Sequence, residues 1–187
     1  MKTSLKIVGC DPSFRHWGMA SGLVCLETGK LIISDMKVVH THIKEDHTTR
    51  KAELDIRSAT MLYEGVSEFI EGSDIVTVEV PTGSQDAKAA TARGVCLGVI
   101  GSVRTDKFIY VTPQSVKKII GKPDATKAEV VQWASERHPE APWPKWRNKI
   151  NISQAEHMAD AIVSIYAAAQ TKEFKQLISE YKNANQV

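Results

Sequence analysis

Four side chains in this sequence combine residue type and setting in a way that suits metal chemistry. Asp11 closes the apolar run Leu5-Lys6-Ile7-Val8-Gly9-Cys10 and is followed by Pro12 and Ser13. Pro12 has no backbone N–H and cannot extend a ladder, so the carboxylate is held at the end of an expected central strand. Taken alone, such an aspartate reads as a turn acceptor. Glu79 carries more weight, because it ends the β-branched run Ile75-Val76-Thr77-Val78, where an unpaired acid is expensive. His157 and Asp160 stand three apart, on one face of the first turns of a late helix. Oxygen-rich sets with few nitrogens suit Mg2+ or Mn2+. Two such ions about 4 Å apart can activate a water and stabilise the leaving oxygen of an in-line displacement at phosphorus.

The elements that must position these groups can be read in order. The opening strand is followed by Trp17-Gly18-Met19-Ala20 leading into a second strand, a Thr28-Gly29-Lys30 turn and a third strand from Leu31 to Val39. Tight connections make the three antiparallel neighbours. His40, His42 and His47 fall in or beside a polar loop and are expected to face solvent. Apolar positions Leu54, Met61, Leu62, Val66, Phe69 and Ile70 repeat at helical spacing and Gly72 stops the helix. After the Glu79 strand, residues 87–103 form a helix rich in alanine and glycine. Gly94, Gly98 and Gly101 share one face of it, at about 1 kcal/mol each relative to alanine. Something must pack very closely there, either the sheet or a second subunit. A short strand, Phe108-Ile109-Tyr110-Val111, precedes Pro113. Thr126 with Glu129 is a capping box that opens a further helix, and Ser153 with Glu156 reads as a second one, which gives Glu156 a structural job. The expected class is α/β, a mixed five-stranded sheet of three antiparallel and then parallel strands flanked by helices. One domain spans residues 1–187, with a core at 1–170 and a surface helix or tail at 171–187.

Composition excludes several classes. An apolar fraction of 42% and a charged fraction of 25% are ordinary for a globular chain. Cys10, Cys25 and Cys96 are odd in number and show no CxxC pair, which points away from a disulfide frame or zinc site and toward a reducing compartment. No apolar run is long enough for a membrane span and no signal segment is evident, so a cytoplasmic protein is expected. Net charge is only +2, yet residues 113–150 hold eight Lys/Arg against four acids. A local basic patch on a near-neutral body suits phosphate, although a solvated charged face would look similar. Within it, residues 139–150 bring together three prolines, Trp143, Trp146, Lys145, Arg147 and Lys149. Tryptophan beside cations offers stacking plus phosphate pairing, and equally a pin that holds a long loop to the body.

The chain resembles the RuvC family of Holliday junction resolvases, within the RNase H-like superfamily. The resemblance runs from Ile7 to about Ala169. It is carried by Gly9-Cys10-Asp11-Pro12-Ser13, Val78-Glu79-Val80, Ala92-Arg93-Gly94-Val95, Pro113-Gln114-Ser115-Val116-Lys117-Lys118 through Gly121, Lys127 and Val130, and His157-Met158-Ala159-Asp160-Ala161. It implies a dimeric, divalent-metal-dependent endodeoxyribonuclease that cuts two opposed strands of a four-way junction, with two Mg2+ or Mn2+ ions per site. Asp11, Glu79, His157 and Asp160 would be the metal-binding catalytic set. Lys117 and Lys127 would approach the scissile phosphate; from the basic, tryptophan-bearing stretch itself, and not from the resemblance, Lys118, Lys122, Trp146 and Arg147 are expected as further DNA contacts. The helix around Arg93 to Gly101 would form a homodimer interface. Ser13 in place of a glycine, the lack of an aromatic in Val80-Pro81-Thr82 and the longer loop before Ser153 imply a divergent form of phage type, acting in a host cytoplasm. Two alternatives stay open, a non-catalytic junction-binding module and a nuclease of broader fork and flap specificity, while the sequence lacks what would make it an ATP-using enzyme of actin-like fold. The last would need a second phosphate loop and roughly double the length.

Overall fold

Apart from the half-buried Lys6, the run from Leu5 to Cys10 is buried because it lies in the middle of a sheet covered on both faces. The computed structural model describes residues 2–43, 48–80, 82–83, 86–105 and 107–184; His47 and Pro81 lie outside these. Strand β1 (Ser4–Asp11) pairs antiparallel with β2 (His16–Cys25), which pairs antiparallel with β3 (Leu31–His40). On its other edge β1 runs parallel to β4 (Ile75–Glu79), and β4 parallel to β5 (Phe108–Val111). The order β3-β2-β1-β4-β5 is the mixed sheet expected from the sequence. Helix α1 (Lys51–Ile70) makes the crossover from β3 to β4, and α2 (Ala87–Ser102) the crossover to β5.

Strand side chains alternate between faces, so parity assigns each position to one of two cores. Val8, Cys10, Met19, Val76 and Val78 pack with Leu62 and Val66 of α1 and Cys96 and Val99 of α2. Leu5, Ile7, Ala20 and Ile75 pack on the other face with α5 (Ile152–Ala169). Asp11 and Glu79 have the parity of Ile7 and Ile75, and therefore project toward α5. Because Cys10 lies opposite Val78, Asp11 and Glu79 are the next positions along two neighbouring parallel strands. The register places two acids side by side.

Helix α5 lies directly on the sheet backbone. A methyl group built on Gly9 would sit 2.0 Å from the Ala161 carbonyl oxygen, and one on Gly18 would sit 2.1 Å from that of His157. Only glycine allows this approach. The inner side of the helix is correspondingly small or well filled, with Ala155, Ala159, Ala161 and Ile162 fully buried. Ser164 meets Thr77 of β4 at 3.1 Å, both side chains buried.

Helices α3 (Pro113–Ile120) and α4 (Lys127–Arg137) follow β5. The capping box at Thr126 and Glu129 is present, and Thr112 with Ser115 forms another at the start of α3. The one expected at Ser153 is not. Asn151 occupies the N-cap of α5 without a side-chain bond, and the Ser153 hydroxyl donates to Asn151 Oδ1 at 2.9 Å, which leaves Glu156 free for other partners. The glycine face of α2 does not meet the sheet: nothing lies within 4 Å of a methyl group built on Gly94, Gly98 or Gly101. The stretch before α5 is not irregular throughout, since β6 (Lys145–Trp146) and β7 (Lys149–Ile150) form a small hairpin. Helix α6 (Lys172–Ala184) closes the described chain and buries Phe174.

Gly18→Ala should push α5 off the sheet and cost about 3 kcal/mol or more, lowering the melting temperature by roughly 6–12 °C. A thermal melt within 2 °C or so of wild type would contradict the tight seat of this helix.

Candidate functional site

Helix α5 brings its second turn over the ends of β1 and β4. His157 Nδ1 lies 2.9 Å from Asp11 Oδ2. A carboxylate oxygen only accepts, so the imidazole N–H is the donor. Asp11, Glu79, Glu156 and Asp160 share a cleft of about 190 Å3 with Lys117 and Lys127, walled by Val116, Ile120 and Val130. The fold thus collects Asp11, Glu79, His157 and Asp160, although they are 149 residues apart at the extremes of the sequence. Lys117 follows the buried Val116 in the last turn of α3, and Lys127 opens α4 just after its Thr126 cap.

The remaining expected contacts lie outside the cleft. Lys118 is exposed on α3, and Lys122 pairs with Glu129 at 2.5 Å. Trp146 and Arg147 stand on the hairpin. Two residues at the site were not expected from the sequence. Glu156, read as a capping residue, instead pairs with Lys127 at 2.6 Å and has an oxygen 3.6 Å from His157 Nε2. His16 stacks on His157 with ring centres 5.5 Å apart, while its Nδ1 lies 2.9 Å from that of His40. His40 and His42 are exposed, as expected, but His40 is tied to the site through His16. The available signal was strand parity. His16 is two positions before Gly18, whose α-carbon faces the His157 backbone.

The cleft is electrostatically crowded. Burial pushes Asp160 up to about 7, with the Asp11 and Glu79 carboxylates adding to the rise. Burial likewise lifts Glu79 to about 7, reinforced by Asp11 and opposed by the Lys117 ammonium. His157 is raised above the usual histidine value mainly by its bond to Asp11, against the effect of burial. Lys127 is raised by its hydrogen bond to Glu156. Asp160 and Glu79 therefore hold their protons into the neutral range, through burial first and the neighbouring carboxylates second.

Compared by sequence, no family model and no curated protein matches the chain. Compared by structure, it aligns with Thermus thermophilus RuvC in complex with a Holliday junction substrate at a TM-score of 0.59 and 19% identity, over 88% of this chain and 94% of that one. A second structure of Thermus thermophilus RuvC gives a TM-score of 0.55 and 20% identity, over 87% and 92%. The fold is that of RuvC. At these identities the likeness concerns architecture: the RNase H-like mixed sheet with its flanking helices.

The donor set of this cleft suits a divalent cation in its chemistry. Carboxylate oxygens predominate, one imidazole nitrogen is at hand, and the four acids outnumber the two lysines of the cleft. Among the described residues no three His, Cys, Asp or Glu side chains already surround a single point as ligands would. Asp11 is turned to His157 and Glu156 to Lys127.

The raised values set the sign of the pH dependence without metal. A carboxyl raised in the folded state binds its proton more tightly there than when unfolded, so stability falls as pH rises from about 4 to about 7. His157, also raised, adds stability below its unfolded value near 6.5 that is lost as pH climbs through the folded one. In metal-free buffer Asp160→Asn should therefore stabilise the protein at pH 8, by about 1–3 kcal/mol, and have little effect at pH 4. Denaturant titrations showing the same change at both pH values would refute this account of the cleft.

Proposed function

We propose that the chain is a structure-selective endodeoxyribonuclease that cuts four-way DNA junctions by divalent-metal-dependent phosphodiester hydrolysis. The observation that carries this reading is the convergence of Asp11, Glu79 and Asp160 with Lys117 and Lys127 in one cleft. It lies on a fold shared with RuvC, which has been solved with a Holliday junction substrate.

Asp11, Glu79, Asp160 and His157 would hold Mg2+ or Mn2+, with two ions per site as the expected complement. A bound divalent cation there supplies an acidified water for attack at phosphorus and positive charge beside the leaving oxygen. The chain's own groups do the rest. Lys117 and Lys127 draw a phosphate into the cleft. Glu156 neutralises Lys127 while no phosphate is present, and its release leaves that ammonium to the DNA. The Asp11–His157 bond holds the imidazole in place beside β1 until its nitrogen is needed as a ligand.

Asp11→Asn should lower cleavage of a labelled four-way junction in Mg2+ by at least about a hundredfold while junction binding persists. If the variant cuts as well as wild type, the nuclease assignment is wrong. A replication fork and a plain duplex assayed beside the junction separate a junction resolvase from a broader branched-DNA nuclease. Binding without cleavage by the wild-type chain, at any divalent metal, would instead establish the non-catalytic module.

A homodimer formed through α2 completes the proposal. The face carrying Gly94, Gly98 and Gly101 is open, and glycines inside a helix weaken it unless two backbones approach there. A two-fold axis through this face would present two clefts to two scissile strands. Gly98→Leu is expected to sediment as a monomer at concentrations where the wild type is a dimer, with an undiminished melting temperature. Wild-type protein sedimenting as a monomer at tens of micromolar would eliminate this interface.

A further inference from the structure

The hairpin that precedes α5 is built for display rather than for packing. It contains two residues in each strand, Trp146 facing Lys149 and Lys145 facing Ile150, and a two-residue turn at Arg147 and Asn148. Both turn residues have positive φ, 48° and 62°, the geometry of a tight hairpin turn that ordinarily selects Asn or Gly. An arginine at its first position accepts backbone strain that asparagine or glycine would largely avoid. Nothing local to the turn explains that choice.

The two tryptophans of the stretch have opposite fates. Trp143 is buried and anchors the base, its Nε1–H donating to the His138 carbonyl at 2.8 Å. The Asn151 amide donates to the Pro144 carbonyl at 2.8 Å and closes the hairpin's root. Trp146 is 68% exposed, the largest of the exposed apolar side chains among the described residues. The hairpin therefore has a fixed base and a tip whose indole is largely outside the core. Lys145, Arg147 and Lys149 are all exposed, no acid lies between 145 and 150, and the Arg147 guanidinium is 5.9 Å from the Trp146 ring centre. A hairpin this short has no core of its own, so the exposed indole adds little to folding.

Its location gives the surface a use. The hairpin ends at Ile150, and α5, which carries Glu156, His157 and Asp160, begins two residues later. Glu156, the first site residue, is thus about 6 Å along the helix axis from the start of α5, which follows the hairpin's root. We propose that the hairpin is a DNA-binding element in which Trp146 stacks on an unpaired base while Lys145, Arg147 and Lys149 hold the phosphates flanking it. The occupant is single-stranded or branch-point DNA, since a flat indole among cations fits exposed base faces and bases within a duplex are already stacked. This rests on the nuclease reading for its substrate. It goes beyond that reading in locating the preference for unpaired bases outside the cleft.

The test measures equilibrium binding in EDTA, so that nothing is cut, of the full chain and of Trp146→Ala and Trp146→Phe. The probes are a single-stranded oligonucleotide, an immobile four-way junction and a plain duplex, each fluorescently labelled. Trp146→Ala should weaken binding to the single strand and the junction by roughly five- to a hundredfold and change duplex binding less than about twofold. Trp146→Phe should retain most of the affinity. Melting temperatures within 2 °C or so of wild type are expected for both variants. Wild-type affinity of Trp146→Ala for the single strand, an equal loss on the duplex, or a melting temperature lowered by several degrees would each overturn the proposal, the last by making Trp146 a packing residue. The two readings fail separately. A wild-type chain that cuts no junction in Mg2+ but loses single-strand binding on Trp146→Ala refutes the nuclease and upholds the hairpin.

Discussion

The contact on which the site depends is the approach of α5 to the sheet backbone. Gly9 and Gly18 present no side chain where the carbonyls of Ala161 and His157 pass. Helix and strands therefore meet closer than any Cβ would allow. The consequence is functional as much as structural. Asp11 and Glu79 end their strands with short side chains, and groups on a helix at ordinary packing distance would stand farther from them. With the helix seated on glycine, His157 reaches Asp11 within hydrogen-bond distance, and Asp160 enters the same cleft as Glu79. The buried contact of Thr77 with Ser164 adds a polar register mark between β4 and the helix.

That close packing brings a second constraint, the repulsion among acids held together in a partly dry cleft. The protein relieves it locally, by protons on Asp160 and Glu79, by the His157 N–H on Asp11, and by Lys127 on Glu156. Each of these partners is exchangeable, and none is a rigid structural pair of the kind that holds a fold. A cluster of acids of this sort lowers the stability of the metal-free chain above neutral pH. The two cores on either side of the sheet carry the stability that makes the arrangement tolerable.

Architecture and activity are separate questions here. The RuvC-like sheet, with β1 and β4 parallel at its centre, explains why two strand-end acids adjoin. It does not by itself choose a substrate, since one fold hosts many chemistries. Under the proposed function the groups that would choose are peripheral to the sheet: Lys117 in the last turn of α3, Lys127 at the capped start of α4, the open glycine face of α2, and the hairpin before α5. All of these lie on connections and outer helices, where recognition can vary without disturbing the seat of α5.

The succession of strands and helices along the chain, the Thr126–Glu129 cap and the chemical promise of Asp11, Glu79, His157 and Asp160 were legible in the sequence because each rests on short-range physics. Alternating burial, capping bonds three residues apart and the cost of an acid in a β-branched run are all local. Glu156 shows where that reasoning ends. Its spacing from Ser153 satisfies the capping pattern, yet Asn151 takes the N-cap and Lys127, from another helix, captures the carboxylate. His16 joined the site only because the β2 register and the seat of α5 put its ring on that of His157. The glycines of α2 announced a close contact but not with what, and the chain leaves that face uncovered. Local energies thus decided which elements form and which residue types they present. The choice of partner for a long polar side chain was left to the tertiary structure, because it is settled by packing between elements far apart in the chain.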